Sequence, residues 1–392
     1  MKFVLAAYGS RGDVEPCAVV GRELQRRGHD VRIAVPPNVV ALAESVGLAA
    51  VAYGPDSHAQ LNTAADFFVG NMNNLYGALP EVVERVAGVW VDKGAALASL
   101  ADGADLIVTG MNEQRLAANI AELQNIPLVA LHSFPARIQP SGALNSMLVQ
   151  LSEQPLRRAL GMPDGPEPAP PSLEIQAYDE RCLPGQPAQW AEPGKPFVGA
   201  LTLEAPTDSD DDVLAWIADG TAPIYFGLGS TPISPPAQIV GMVIAACAEL
   251  NERLLICAGP NDLSEFDHFD HVKMVGAIKH AAVLPGCRAA VHHGGAGTTA
   301  AAMRAGVPSL VLWLWLDQPV WGAGVSQLKI GSAQRFSDVT PQSLTAQLKS
   351  VLTPDYQMRA RNIADQMMSP HESASFAADL VEGAAQAAQL TD

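Results

Sequence analysis

The sequence predicts an α/β protein made of two doubly wound parallel-sheet domains in tandem, and three observations predict it. Several short runs are apolar throughout, which marks strands covered on both faces rather than strands with one wet side. Segments of helical period separate those runs, so the strands follow one another through helical crossovers. The same strand, loop, helix, strand order then begins again in the second half, after stretches rich in Pro, Gly and acid at 161–172 and 204–212.

The first strand is read at 2–7. A polar glycine loop, YGSRGD, follows it, and a periodic segment at 14–27 closes on Gly28, the residue favoured just past a helix end. HDVRIAVP (29–36) is a second buried strand; DLIVTG (105–110) and IPLVALHS (126–133) bracket a helix at 113–124. The second series runs through APIYFGLGS (222–230), a helix at 236–250, RLLICAG (253–259), AAVHHGGAG (289–297), a helix to 305 and VPSLVLWL (307–314). Residues 174–203 hold short apolar pieces such as PFVGAL that can finish the first domain, whereas a helix at 211–218 opens the new series. The N-terminal domain is therefore set at 1–203, the linker at 204–212 and the C-terminal domain at 213–392. An Ala-rich helical stretch at 354–390 is free to pack on either domain.

Composition narrows the function. The chain has 392 residues, 48% of them hydrophobic, enough for two cores of their own. Its 41 acidic and 24 basic side chains leave a net charge of -17, which repels a phosphate backbone and argues against nucleic acid as a partner. The five cysteines, Cys17, Cys182, Cys247, Cys257 and Cys287, are odd in number and form no C-x-x-C pair, as expected of small buried residues in a reducing cytosol. The apolar run at the start is too short for a signal peptide, and the richest stretch, 307–316, is about half a membrane span. A soluble, cytoplasmic protein is expected, with peripheral membrane contact left open.

The strongest chemical signal is HHGGAGTTAAAMRAGVP at 292–308, into which a strand runs directly. Gly294, Gly295 and Gly297 let the backbone turn tightly and approach a ligand, and Thr298 and Thr299 can cap the helix that follows. A helix start stripped of side-chain bulk gathers N–H groups and the positive pole of the helix dipole, so it suits a phosphate or diphosphate; His293 can add a donor. The same pattern also occurs where a helix merely packs tightly on a sheet. GGAG is neither the dinucleotide fingerprint nor a Walker loop, which disfavours a dehydrogenase and an NTPase.

His293, the glycines through Thr298, the run Ala305-Gly306-Val307-Pro308 and the pair Asp317-Gln318 together resemble the donor-binding signature of family 1 glycosyltransferases of the GT-B fold. The spacings from His293 to Gly306 and from Gly306 to Asp317 match the plant members. The resemblance implies two Rossmann-like domains facing across a cleft, the C-terminal one binding a nucleotide sugar and the N-terminal one an acceptor. It implies that His293 and the loop Gly294, Gly295, Gly297, Thr298 hold the diphosphate, and that Asp317 and Gln318 bind the donor sugar. The plain alternative for that pair is a helix N-cap and its neighbour. VGAIKHAAVLP (275–285) resembles the family's base-binding stretch, with Val275 and the backbone near Ile278 meeting the base. The Trp-x-Pro-Gln that begins the plant signature is missing, so UDP and dTDP stay open. Ser230, at a second strand-to-helix turn, resembles a donor-contact serine.

YGSRGDVEP (8–16) resembles the opening loop of the bacterial branch that glycosylates glycopeptide antibiotics and mycobacterial glycopeptidolipids. Where the wider family commonly carries a catalytic histidine, this chain has Asp13, which implies that Asp13 is the base. Asp13 also sits where an N-cap is expected, before Val14. Ser10 and Arg11 share the loop; Arg11 can reach a phosphate or simply be solvated. His132, after a buried strand, is an acceptor-side candidate or a satisfied core histidine. Trp313, Trp315 and Trp321 read mainly as core. Leu316, where many relatives carry a smaller residue, suggests a donor lacking a hydroxyl.

The function these residues imply is inverting, metal-independent transfer of a sugar from a UDP- or dTDP-sugar to a hydroxyl, with no cofactor. Phe67, Phe68, Met72, Leu75 and Tyr76 in the N-terminal loops suggest an apolar or amphipathic acceptor. A sugar-nucleotide epimerase and a non-catalytic nucleotide-sugar-binding helper are the rivals. Retention of both the Asp13 and the His293 motifs weighs against the helper.

Overall fold

The computed structural model describes residues 1–60, 75–135, 143–163, 167–184, 194–203, 210–229, 236–259, 261, 263, 266 and 269–390. They fall into two compact units: unit 1 is 1–177, 189–203 and 370–392, and unit 2 is 178–188 and 204–369.

Unit 1 is built on a parallel sheet of β1 (Lys2–Ala6), β2 (Asp30–Val35), β3 (Ala49–Ala52), β4 (Leu106–Thr109), β5 (Leu128–His132) and β6 (Leu173–Gln176). Its strand order is β3-β2-β1-β4-β5-β6, so the order reverses between β1 and β4. The central strands β1, β4 and β5 present buried apolar side chains to both faces, which is why they read as continuous apolar runs. Phe3 and Leu5 of β1 pack with α1 (Arg11–Arg26), while Val4 and Ala6 pack on the other side with residues of the helices Leu75–Ala101 and Gln114–Gln124. Numbering in chain order, the short Val40–Ser45 helix is α2, these two are α3 and α4, and Ala143–Ala159 is α5.

Unit 2 repeats the plan. After α6 (Asp210–Ala218) come β7 (Ile224–Gly227), α7 (Pro236–Glu249), β8 (Leu254–Cys257), β9 (Val272–Val275), α8 (His280–Val283), β10 (Ala289–His292), α9 (Ala296–Arg304), β11 (Ser309–Trp313), α10 (Gln318–Gln327) and β12 (Gly331–Arg335). The sheet order, β9-β8-β7-β10-β11-β12, is the same topology, with the reversal between β7 and β10. Ile239, Val240, Val243, Ile244 and Cys247 of α7 form one apolar stripe against Ile224, Phe226, Ile256 and Val291 of the sheet.

Several elements depart from the sequence reading. The stretch at 354–390 is two helices, α12 (Pro354–Ala364) in unit 2 and α13 (Pro370–Gln389) in unit 1, preceded by α11 (Pro341–Val351). The break falls at Pro370, whose missing N–H suits a helix start and not a helix interior. α13 buries Ala377, Ala378, Val381 and Ala385 in the core shared with α1, and Arg27 bonds to Asp379, Glu382 and the Ser375 carbonyl. Of the stretch set as linker, 204–209 lie outside the described residues and Asp210, Asp211 and Asp212 form the first turn of α6. The four-residue strands β3, β6 and β9 and the helices α3 and α5 have no counterpart in the sequence reading. All five cysteines are free thiols, four of them buried. No helix among the described residues is long and apolar enough to cross a membrane.

Candidate active site

In a doubly wound sheet, ligands sit at the carboxyl ends of the strands where the order reverses, because the neighbouring loops there leave in opposite directions. In each unit that point carries the residues singled out by sequence.

In unit 1 the loop after β1 leads into α1. Ser10, not Asp13, is the N-cap of this helix; Asp13 is the third helical residue. Its carboxylate bends back so that Oδ2 accepts from the Ser10 amide at 2.7 Å and from the Ser10 hydroxyl at 2.9 Å. Gly9, with φ at +137°, is required here, since a Cβ would collide with that carboxylate. Oδ1 accepts from Asn112 Nδ2 at 3.2 Å, and the same amide donates to the Tyr8 carbonyl at 2.9 Å. Asn112 follows β4, across the reversal point. Burial pushes the Asp13 carboxyl above the ordinary aspartate range, against hydrogen bonds from Ser10 and Asn112 that pull it down.

The loop is held from below as well. Ser57 donates to the Gly9 carbonyl at 2.7 Å and is itself held by Asn38. Glu113, beside Asn112, is buried with Lys93 at 2.5 Å and Tyr53 at 2.6 Å, and the Lys93 ammonium lies 3.9 Å from the centre of the Tyr8 ring. Arg11 pairs with Glu15 on its own helix at 3.0 Å and is half exposed. His132 is buried at the end of β5, with Nε2 3.4 Å from both Gln114 and Glu174. Gln114 begins α4 and Glu174 lies on the edge strand β6.

In unit 2 the corresponding turn runs from β10 into α9. Gly295 is the N-cap, and no side chain of the described residues caps this end. Thr299, expected as a cap, instead donates its hydroxyl back to the Gly295 carbonyl at 2.9 Å, and Thr298 stands half-buried in the first turn. The three glycines do different things. Gly294, at φ +87°, has Val311 within 2.7 Å of any Cβ, and its N–H donates to His292 Nδ1 at 3.1 Å. At Gly295 a Cβ would collide with His293 Nε2. Of the three, Gly297 alone is exposed, and no atom of the described residues lies within 4 Å of the place a Cβ would take.

His293 lies between the β7 and β10 loops. Gly229, at φ +60°, meets its ring from the other side, where a Cβ would stand 2.7 Å from Cε1. The ring is buried, Nδ1 has no hydrogen-bond partner among the described residues, and His292 Nε2 is likewise unpartnered. Burial depresses both rings, His293 to about 4 against a hydrogen bond to Gly227, and His292 to about 3, so both are neutral at pH 7. Orphaned buried polar atoms are rare in folded chains and call for an explanation such as a ligand or water. Ser230 lies outside the described residues.

Between β11 and α10, Trp315 and Leu316 are 49% and 69% exposed, and Leu316 sits at φ +54°, a left-handed conformation unusual for a residue with a side chain. Asp317 is the N-cap residue of α10 but makes no side-chain cap; Oδ2 accepts from Trp321 Nε1 at 2.6 Å. Gln318 is buried, and its side-chain oxygen accepts from the Leu314 and Trp315 amides at 2.7 and 3.3 Å, which holds the loop in shape. Trp321 is core, as expected, whereas Trp315 is not. Val275 ends β9 half-buried, and the Ile278 side chain is part of the core, leaving only its backbone for a base. Residues 61–74 and 136–142, with Phe67, Phe68 and Met72, lie outside the described residues. Among the described residues no group of three or more His, Cys, Asp or Glu is gathered as a metal site requires.

Sequence reasoning missed Asn112, Ser57 and His292. Asn112 carried one usable signal: it follows the strand that must lie beside β1 if the sheet is doubly wound.

Residues 241–382 match the family described as erythromycin biosynthesis protein CIII-like, C-terminal domain. A Mycobacterium tuberculosis protein described as an uncharacterized glycosyltransferase is 50% identical over 416 aligned positions, covering 99% of this chain and 100% of that one. The vancomycin aglycone glucosyltransferase of Amycolatopsis orientalis is 27% identical, covering 93% of each chain. Among solved structures, the spinosyn rhamnosyltransferase SpnG complexed with thymidine diphosphate superposes with a TM-score of 0.72 at 18% identity, over 97% of this chain and 100% of that one, a likeness of fold. The 50% identity to the mycobacterial glycosyltransferase over essentially the whole of both chains, on two doubly wound sheets, means that this chain belongs to the family 1 glycosyltransferases of the GT-B fold.

Proposed function

We propose that the enzyme moves a sugar, with inversion and without a metal, from a UDP- or dTDP-sugar to a hydroxyl of an apolar or amphipathic natural-product acceptor. The observation that carries this reading is the turn from β10 into α9: among the described residues, a helix start with no side-chain cap and no atom above Gly297, with the buried and partly unpartnered His293 beside it. Such a site can receive the negative charge that develops on the departing diphosphate, because its dipoles are already oriented.

Asp13 is the base in this reading. Its carboxylate is fixed by Ser10 and Asn112, and its raised pKa makes it a better proton acceptor than a solvated aspartate. The acceptor oxygen gives its proton to Asp13 as it attacks the anomeric carbon from the side opposite the nucleotide, and the C–O bond to the diphosphate breaks. Asp317 contributes hydrogen bonds to the donor sugar. The relatives named for vancomycin aglycone and spinosyn suggest the acceptor class. The test is incubation with UDP- and dTDP-sugars, with and without a panel of lipid, peptide and polyketide acceptors. Glycoside with inverted anomeric configuration supports the proposal; an isomerised nucleotide sugar formed without acceptor indicates an epimerase.

A further inference from the structure

Beneath the Asp13 loop lies a charged pair that the transfer step does not use. Lys93, on α3, reaches Glu113 at 2.5 Å, and Tyr53 donates to the other Glu113 oxygen at 2.6 Å; all three side chains are buried. Taking two charges out of water is costly, and apolar side chains of similar volume in place of a buried pair often leave a protein as stable or more so. Stability alone therefore does not account for the pair. Its contacts do. The Lys93 ammonium lies 3.9 Å from the centre of the Tyr8 ring and 4.9 Å from that of Tyr53, within cation–π range. At Gly54, with φ at +70°, a Cβ would stand 2.9 Å from Lys93 Cδ and 3.1 Å from Tyr8 Cε2, so the chain after β3 closes over the lysine stem. One side chain thus gathers the segments that leave the carboxyl ends of β1, β3 and β4.

Asn112 stands between two of those segments. Its backbone runs straight into Glu113, whose carboxylate is held at both oxygens, and its side-chain amide donates to the Tyr8 carbonyl at 2.9 Å and to Asp13 Oδ1 at 3.2 Å. Tyr8 is fixed at its far end too, with its hydroxyl 2.8 Å from the Pro55 carbonyl and 2.5 Å from Gln60 Oε1. Asp13 Oδ2 accepts twice from Ser10, whereas Oδ1 accepts once among the described residues, from Asn112. A carboxylate oxygen has two lone pairs, so Oδ1 keeps one for a proton, and the direction of that pair follows Asn112. We propose that Lys93 is a positioning residue for the base: acting through Glu113 and Tyr8, it holds Asn112 against Asp13 Oδ1 and so fixes the oxygen that takes the acceptor's proton. This rests on the reading of Asp13 as the base.

The test removes both charges at once, because Lys93→Met alone would leave Glu113 buried without its partner. Lys93→Met combined with Glu113→Gln keeps the volume and an oxygen for Tyr53, and its melting temperature at pH 7 should stay near that of the wild type. Hydrogen bonds to a carboxylate favour its charged form, and Asn112 supplies one of them to Asp13. A slackened Asn112 therefore raises the folded pKa of Asp13. That pKa is read without any substrate, as the pH at which the stability advantage of each protein over its own Asp13→Asn derivative stops falling on the way up from acid. Subtracting the derivative removes every other titrating group, including the Tyr8, Tyr53 and Cys17 side chains that burial pushes up. The expected result is a value about one unit higher in the double variant. Transfer to any acceptor that passes the panel should fall about ten- to a hundredfold with the UDP-glucose or dTDP-glucose dissociation constant unchanged. That fall should vanish when Asp13→Asn is already present. An unmoved Asp13 pKa overturns the proposal, as does a fall of the same size in the Asp13→Asn background. A melting temperature far below the wild type's assigns the pair to stability and overturns it too, whereas wild-type transfer in Asp13→Asn overturns the reading of the base itself.

Discussion

The two units share one sheet order but treat the loop at its reversal point in opposite ways. In unit 1 the loop is tied down by side chains: Asp13 accepts from Ser10 twice and from Asn112, and Ser57 holds the Gly9 carbonyl. In unit 2 the turn is made of glycines, and among the described residues no side chain caps the helix and buried nitrogens of His292 and His293 lack partners. A satisfied network keeps one group where it is; an unsatisfied one has polar atoms left to offer a ligand. The fixed carboxylate of unit 1 and the glycine turn of unit 2 fit that division.

The sharpest way to break the comparison is Asp13→Asn. Asn keeps an oxygen for the Ser10 amide but cannot take a proton, so transfer should fall by about 10² to 10⁴-fold. The melting temperature at pH 7 should hold or rise, because a buried charge is removed. Single-turnover transfer and melting on one preparation decide it; unchanged transfer would leave Asp13 with a structural role alone. His293→Ala should come next. Losing a donor aimed at developing charge costs about 2.7 to 4 kcal/mol, on the order of a hundredfold or more in turnover. Wild-type turnover in that variant would sink the unit 2 site.

A smaller effect separates the glycines. Gly295→Ala should lower both melting temperature and donor affinity, since a Cβ collides with the His293 ring; Gly297→Ala, with no described atom within reach of its Cβ, should leave melting unchanged and reduce only donor affinity. Equal melting losses would mean that both are packing glycines.

Acid should also act on the two units with opposite sign. Asp13, its folded pKa raised, contributes stability that is complete below the unfolded value of ~3.9 and lost as pH rises through the folded value. His292 and His293, depressed to about 3 and about 4, do the reverse. Their contribution is complete above the unfolded value of ~6.5 and falls by about 1.4 kcal/mol per pH unit for each ring below it. His293→Gln should therefore flatten the loss of stability between pH 6.5 and 5, and an unchanged profile would show that the ring is not held neutral. The smallest expected effect is that of EDTA, which should leave turnover as it was; a loss restored by added metal would count against a helix start acting in place of a cation.

Much of the fold was legible because the central strands are apolar on both faces and the helices between them are periodic. The edge strands β3 and β9 escaped notice because they are short and only half covered: Val51 is 40% exposed, and β9 is half-buried throughout. α3 holds Gly88 and Gly94 inside an Ala- and Val-rich run, which blurs a helical pattern. At the site, HHGGAG and the Asp13 loop were visible as local strings. Asn112 was not, since its partner lies 99 residues away and only the sheet order brings them together. The tie of Gln318 to the Leu314 and Trp315 amides was hidden for a related reason: it is a property of the loop's shape, which residue type does not disclose.

The placement of α13 bears on how the chain is made. Residues 370–389 leave the ribosome after all of 178–188 and 204–369, yet four of their side chains are fully buried in the unit 1 core. Unit 2 can therefore close while unit 1, begun first, still exposes the apolar face of α1 that Ala377, Ala378, Val381 and Ala385 will cover. The order of completion is the reverse of the order of synthesis. A nascent chain halted before Pro370 would present that uncovered face to chaperones or to other nascent chains, and cutting the gene at the junction near 203 would yield an N-terminal half with its core left open.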